Sequence, residues 1–227
     1  MQIIAQQLIK VRQRLRAAEI KYKREENSVK LLAVSKTRSV AEILQVFEQG
    51  QHDFGENYLQ EAKTKITTLQ DENICWHFIG PLQSNKARVV AEQFSWVHSV
   101  DRDKIAQRLS DLRPLHLPAL NVCIQINISE ESTKSGTSKD QLIALAEKIS
   151  GLPRIKLRGL MALPIPTNDF SEQREGFRQL HRSYAELVEA GFDLDTLSMG
   201  TTNDMEAAVA EGSTIVRIGT ALFGPRL

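Results

Sequence analysis

Cysteine is scarce in this chain, with Cys75 and Cys123 the only two among 227 residues. Neither belongs to a Cys-x-x-Cys pair or a histidine cluster, so the sequence offers no zinc or redox motif, and both read as reduced core residues in apolar stretches. No uninterrupted apolar run reaches the roughly 18 residues of a membrane span. The start, MQIIAQQLIKVRQRLR, alternates polar and apolar residues at helical spacing and lacks a signal peptide's apolar core. A cytoplasmic protein is expected. Charge of one sign is absent too. Lys plus Arg number 29 against 28 for Asp plus Glu. The overall balance therefore argues against nucleic acid or an anionic membrane as partner, and any anion site must be local. Internal repeats, low-complexity tracts and linkers are also missing, which leaves one domain over 1–227 as the expectation.

What is present is a rhythm. Ile4, Leu8, Val11, Leu15 and Ala18 trace one face of an opening helix. Short apolar runs then alternate with helical patterns, predicting strands at 30–35, 52–54, 75–79, 95–99, 119–127, 155–161, 195–198 and 214–218. Capping boxes are expected at Ser39-x-x-Glu42, Ser138-x-x-Gln141 and Asn203-x-x-Glu206. Gly50, Gly151, Gly191 and Gly212 are expected to end helices in the left-handed conformation. Eight strand–helix pairs in a chain of this length predict an α/β fold of the (β/α)8 barrel type with an extra N-terminal helix. An open doubly wound sheet is disfavoured because the first βα turn, Ser35-Lys36-Thr37-Arg38, has no GxGxxG to cradle a pyrophosphate.

In such a barrel the C-terminal strand ends share one face, where barrel enzymes place their sites. Lys36 ends the first strand. A strand-end lysine alone is usually solvated, but the seventh and eighth strands end in Gly200-Thr201-Thr202 and Gly219-Thr220, which supply backbone N–H groups and hydroxyls suited to a phosphate. Closure places the first and last strands side by side, so an amine and an anion cradle become neighbours. An aldehyde bearing a phosphate fits this pair. Pyridoxal 5′-phosphate is the leading candidate, and a sugar phosphate in a Schiff-base aldolase would satisfy the same parts. Arg217 is expected to point at the same ring; a guanidinium has only donors, so it addresses a pyridine nitrogen that carries no proton. Such a ring is a poor electron sink. His77, between Trp76 and Phe78, reads as a hydrogen-bonded core histidine, and His98 likewise. Glu56 reads as a helix cap, and Lys134 as a surface lysine that could accept cofactor in transfer.

The segments LLAVSKTRS (31–39), FGENYLQEA (54–62), WHFIGPLQSNK (76–86), INISEESTKSG (126–136), LRGLMALP (157–164) and the final stretch from LSMG to ALFG (197–224) resemble the pyridoxal phosphate homeostasis protein family. The resemblance spans nearly the whole chain. It implies a barrel similar to the N-terminal domain of bacterial alanine racemase, with pyridoxal phosphate on Lys36 as a Schiff base. It further implies that Asn57, His77 and Met161 lie near the cofactor ring, and that Arg217 meets the pyridine nitrogen. Ser198, Gly200, Thr202, Gly219 and Thr220 join the cofactor site on the same reading. The family usually carries Met-Ser where this chain has Thr201-Thr202. The implied role is vitamin B6 homeostasis, and robust catalysis is not expected. A monomer is expected, with pyridoxal phosphate and apo-enzymes that use it as partners. The alternative is an amino-acid racemase. Alanine racemase takes a second base from an extra domain, and here only Tyr58 of the three tyrosines is expected near the strand ends.

Overall fold

Eight short runs of branched and aromatic residues become the strands β1 (Lys30–Val34), β2 (Asp53–Glu56), β3 (Cys75–Phe78), β4 (Trp96–Val100), β5 (Leu120–Gln125), β6 (Ile155–Met161), β7 (Thr196–Ser198) and β8 (Ile215–Ile218) in a computed structural model describing residues 2–128 and 135–225. Every strand lies within two residues of its expected limits. Between and around them run α1 (Gln2–Lys21), α2 (Val40–Phe47), α3 (Leu59–Thr68), α4 (Ala87–Gln93), α5 (Asp103–Leu112), α6 (Leu142–Ser150), α7 (Phe170–Glu189), α8 (Met205–Ala210) and α9 (Thr220–Phe223). The strands pair in parallel, in chain order, and the sheet closes through β1 and β8, with Leu32 opposite Arg217 and Ala33 opposite Ile218. Closure is the expected (β/α)8 barrel.

The main apolar cluster fills the annulus between sheet and helices. Phe54 and Phe78 project outward from β2 and β3 and are fully buried beside helix residues such as Ile43, Ala62 and Val90. Leu8, Val11, Leu15 and Ala18 lay the buried face of α1 over α2, α8 and α9. Full burial of one leucine there contributes about 1.5–3 kcal/mol. The barrel interior differs. Its apolar part is a small separate cluster of Trp96, Cys123 and Met161, with the half-buried Cys75 against it. Leu32 and Ile215 add apolar side chains on the inner face, and the polar residues His77, His98, Ser198 and Arg217 share the interior with them.

Glycine permits two close approaches. Gly159 adopts φ 153°, and a Cβ there would lie 1.8 Å from the Thr196 carbonyl oxygen, so β6 and β7 meet only because that atom is missing. A Cβ at Gly80 would lie 2.1 Å from the Asn57 carbonyl oxygen, which lets the loop after β3 close over the end of β2.

The helix signals divide. Ser39 caps α2 in a full capping box with Glu42. Ser138 precedes a 3₁₀ turn, Lys139–Gln141, and its side chain makes no cap bond. Asn203 is displaced as a cap by Asp204, whose carboxylate instead accepts from the backbone N–H and hydroxyl of Thr201. Gly50, Gly191 and Gly212 take positive φ, whereas Gly151 stays right-handed at φ −79° because α6 runs on into a turn. Cys75 is half-buried, not buried, because it stands at the N-terminal rim of β3.

Candidate functional site

β1 delivers its last buried residues, Val34 and Ser35, to the barrel mouth, and Lys36 follows them half-buried. Thr37, a β-branched residue, holds φ at 64°, a conformation that costs of order 1–3 kcal/mol and needs support from its surroundings. Glu61 of α3 supplies it by accepting the Thr37 N–H at 2.6 Å. Beneath lies a buried charged cluster. Lys65 donates to the Ser35 carbonyl at 2.7 Å, to Glu56 at 2.7 Å and to Glu61, while the Ser35 hydroxyl donates to Glu56 at 2.6 Å. Both neighbours of Lys36 are thereby tied down. Glu56 is thus a buried strand residue and no helix cap; Tyr58 occupies the cap position of α3. Burial pushes the Glu56 carboxyl above its ordinary range despite the opposing pull of Lys65 and Ser35.

Lys36, Thr202, Arg217, Gly219 and Thr220 line one cavity of about 280 Å³ at the C-terminal face, together with Val34, Arg38, Ile79, Thr201 and Asn203. Three cationic side chains face it and, among the described residues, no carboxylate. Arg217 donates to the Ser198 carbonyl and hydroxyl at 2.5 and 2.8 Å and to the Ala162 carbonyl at 2.9 Å. Burial lowers its pKa to about 10, which still leaves it protonated at neutral pH. Thr202 accepts the Ala221 N–H at 3.2 Å and so links the loops after β7 and β8.

The other expected site residues lie further off. Asn57 lines an adjoining cavity of about 800 Å³, which shares Ile79, Thr201 and Asn203 with the first. Its Oδ1 is buried with no hydrogen-bond partner among the described residues. Ser198 stands behind Arg217. Gly200 makes a turn at φ 95° and accepts the Arg217 N–H at 2.9 Å; a Cβ there would meet Ala208 at 2.5 Å. Met161 is buried against Trp96 and Cys123. His77 and His98 sit inside the barrel, fully buried, and neither lines the cavities. Lys134 lies outside the described residues.

Sequence reasoning missed Arg38, whose Nη2 holds the carbonyls of Gly224 and Pro225 at 2.6 and 3.0 Å while the side chain lines the cavity. Its position two residues after Lys36 was the available signal. The sequence also gave no hint that Asp53, Cys75 and His77 bring their polar atoms within 4.8 Å of one another at the opposite end of the barrel. There His77 Nε2 lies 2.9 Å from Asp53, and Lys30 supplies the neighbouring positive charge at 3.1 Å. Among the described residues no helix is long and apolar enough to cross a membrane.

Comparisons with known proteins show the family and the fold. The family described as "Alanine racemase, N-terminal domain" matches residues 8–226. A pyridoxal phosphate homeostasis protein of Pseudomonas aeruginosa is 53% identical over 226 residues, covering 100% of this chain and 97% of that one. The structure of PipY from Synechococcus elongatus with PLP bound superposes with a TM-score of 0.85 at 36% identity, covering 97% of this chain and 100% of that one. Alanine racemase from Corynebacterium glutamicum, at 15% identity, shares the fold with a TM-score of 0.71 over 97% of this chain and 60% of its own. With the alanine racemase N-terminal family matched over residues 8–226 and about half its residues identical to curated relatives along its length, the chain belongs to the pyridoxal phosphate homeostasis protein family.

Proposed function

We propose that this chain is a single-domain, cytoplasmic, monomeric protein that holds pyridoxal 5′-phosphate covalently on Lys36 and serves vitamin B6 homeostasis, passing cofactor to apo-enzymes without robust catalysis of its own. The observation that carries this reading is the convergence of Lys36, Arg217 and the Gly219-Thr220 turn on one cavity free of carboxylates among the described residues. The donor set fits the group part by part. The lysine amine condenses with the aldehyde, a C=N bond replacing C=O with loss of water. Thr202, Gly219 and Thr220 offer hydroxyl and backbone donors for the phosphate, and Asn57 on the adjoining cavity has a buried amide oxygen without a partner among the described residues.

Arg217 argues for holding over turnover. Fixed by two carbonyls and a hydroxyl, and protonated at neutral pH, its guanidinium presents only donors, so a ring nitrogen held against it would be unprotonated. When bound, the group then supplies an electrophilic carbon to Lys36 but little carbanion stabilisation. No tyrosine or histidine lines either cavity among the described residues. Tyr184 donates to the Leu194 carbonyl, Tyr22 to Glu206, and Tyr58 is exposed, so none of the three tyrosines stands in either cavity as an acid–base group opposite Lys36.

Borohydride reduction in the presence of pyridoxal phosphate, followed by intact mass and peptide mapping, tests the reading beside a Lys36→Ala control. One pyridoxyl group confined to the Lys36 peptide is expected. No adduct, or equal labelling of the control, overturns it. Exchange of the α-proton of L-alanine in heavy water, expected to match the protein-free rate, separates holding from racemisation.

A further inference from the structure

Five side chains form an unbroken file through the barrel. Asp53 Oδ1 lies 2.9 Å from His77 Nε2, and His77 Nδ1 lies 2.9 Å from His98 Nε2. His98 Nδ1 is 2.8 Å from the Ser198 hydroxyl, and that hydroxyl is 2.8 Å from Arg217 Nη1. His77, His98 and Ser198 have no solvent exposure at all. The file starts at the first residue of β2 and ends on β8, so it joins the N-terminal rim of the barrel to the guanidinium at the cavity.

The two ends fix every proton between them. Burial holds the pKa of both histidines below the ordinary value, well below for His98, where the positive charges of Arg217 and Lys30 add to the effect. Each is therefore a neutral imidazole with one donor and one acceptor nitrogen. For Asp53, burial alone would raise the pKa, but His77 and Lys30 outweigh it and the carboxyl stays below its ordinary range. An ionised carboxylate only accepts, so His77 carries its proton on Nε2 and accepts at Nδ1. His98 then donates from Nε2 and accepts at Nδ1, and Ser198 must donate to it. The serine oxygen is left to accept from Arg217. All four bonds run one way, from the guanidinium to the carboxylate, and each polarises the next.

Resting on the reading that the cavity holds pyridoxal phosphate, we infer that Asp53, His77, His98 and Ser198 are a positioning relay that orients Arg217 and sets how strongly it donates to the cofactor's ring nitrogen. None of the four lines the cavity. With the relay intact, the hydroxyl that donates to His98 is a stronger acceptor for Nη1, and part of the guanidinium's donor strength is spent inside the barrel. Cutting the relay returns that strength to the ring nitrogen. The ring then withdraws more electron density from the C=N bond at Lys36, and the nitrogen of that bond becomes less basic. The other charged or titratable groups facing the file are Lys30 on β1 at Asp53, Cys75 on β3 at His77, Cys123 on β5 and Asp204 before α8 at Arg217. They are unchanged in the variants below.

The test uses the full chain loaded with pyridoxal phosphate. Asp53→Ala removes the anionic end at a partly exposed position, and His98→Phe cuts the middle while filling the space. Three quantities are read for each: adduct mass on the Lys36 peptide, the melting temperature without cofactor, and the pH midpoint at which the visible band of the bound cofactor changes. One adduct per chain is expected in both variants, with the midpoint lower by about half a pH unit or more. A merely structural role would lower the melting temperature and leave the midpoint where it was. An unchanged or raised midpoint in Asp53→Ala overturns the relay, and that variant decides alone if His98→Phe does not fold. Failure of the unaltered chain to take an adduct at Lys36 would instead refute the cofactor reading, a result visible before any variant is made.

Discussion

Replacing Lys65 with methionine removes the cation from beneath Lys36 while keeping most of its volume. Lys65 is 4% exposed, and its ammonium bridges the Ser35 carbonyl, the fully buried Glu56 and the partly exposed Glu61. Removing one member of a buried ion pair costs about 3–5 kcal/mol, chiefly because the partner is left as an uncompensated buried charge. Glu56 keeps only the Ser35 hydroxyl, so the full penalty applies at neutral pH. In a chain of this length each kcal/mol lowers Tm by roughly 2–4 °C, which predicts a loss of about 6–20 °C. Two further results discriminate the cause. Adding Glu56→Gln to Lys65→Met removes the stranded charge, and the double variant should be more stable than the single one. Lowering the pH should also narrow the deficit. A carboxyl whose pKa is raised on folding binds more protons when folded, so stability falls as pH rises through the window between unfolded and folded values. Urea unfolding at pH 8 and pH 5 measures both. A single variant within about 1 kcal/mol of the parent at pH 8, or a double variant no better than the single, would refute the account.

Gly159→Ala should prevent formation of the native barrel, because the new methyl would fall 1.8 Å from the Thr196 carbonyl oxygen at φ 153°; a normal far- and near-ultraviolet circular dichroism spectrum would contradict this. Ser39→Ala breaks the capping box of α2 and should cost about 1 kcal/mol in urea unfolding, with Ser39→Asp retaining most of the stability. Burial raises the thiols of Cys75 and Cys123 to about 11 and about 12, so iodoacetamide at pH 8 should label both only after denaturation, and rapid native labelling of Cys123 would show the interior to be open.

The strands were legible because each is a short run of branched or aromatic residues bounded by turn residues, and the alternation of Phe54 with Gly55 or Phe78 with His77 already separates outer from inner faces. Ser39-x-x-Glu42 was legible as a cap because both halves of the motif are local. Ser138 and Asn203 carry the same pattern, yet a 3₁₀ turn and the competing carboxylate of Asp204 take over their roles. Lys36 and the Gly219-Thr220 turn could be paired from sequence because barrel closure alone makes their strands neighbours. The file from Asp53 to Arg217 could not. It joins β2, β3, β4, β7 and β8 across the interior, and which side chains meet there depends on strand stagger that local pattern does not encode. Glu56 misled for a similar reason: its partner Lys65 approaches from α3, with Asn57 and the cap residue Tyr58 between strand and helix.

The hydrogen-bonded file inside the barrel divides the molecule into two concentric compartments with different tolerances. The annulus of Phe54, Phe78, Ile105 and Leu109 supplies cohesion and accepts any apolar exchange that keeps its volume. The axis, where imidazoles and a guanidinium are matched donor to acceptor, accepts almost no exchange, since one altered proton changes every bond along it. Substitutions can therefore accumulate in the outer shell and drift far from an ancestral sequence while the inner file keeps the same electrical character, a separation that frees the fold to adapt its stability without retuning what it holds.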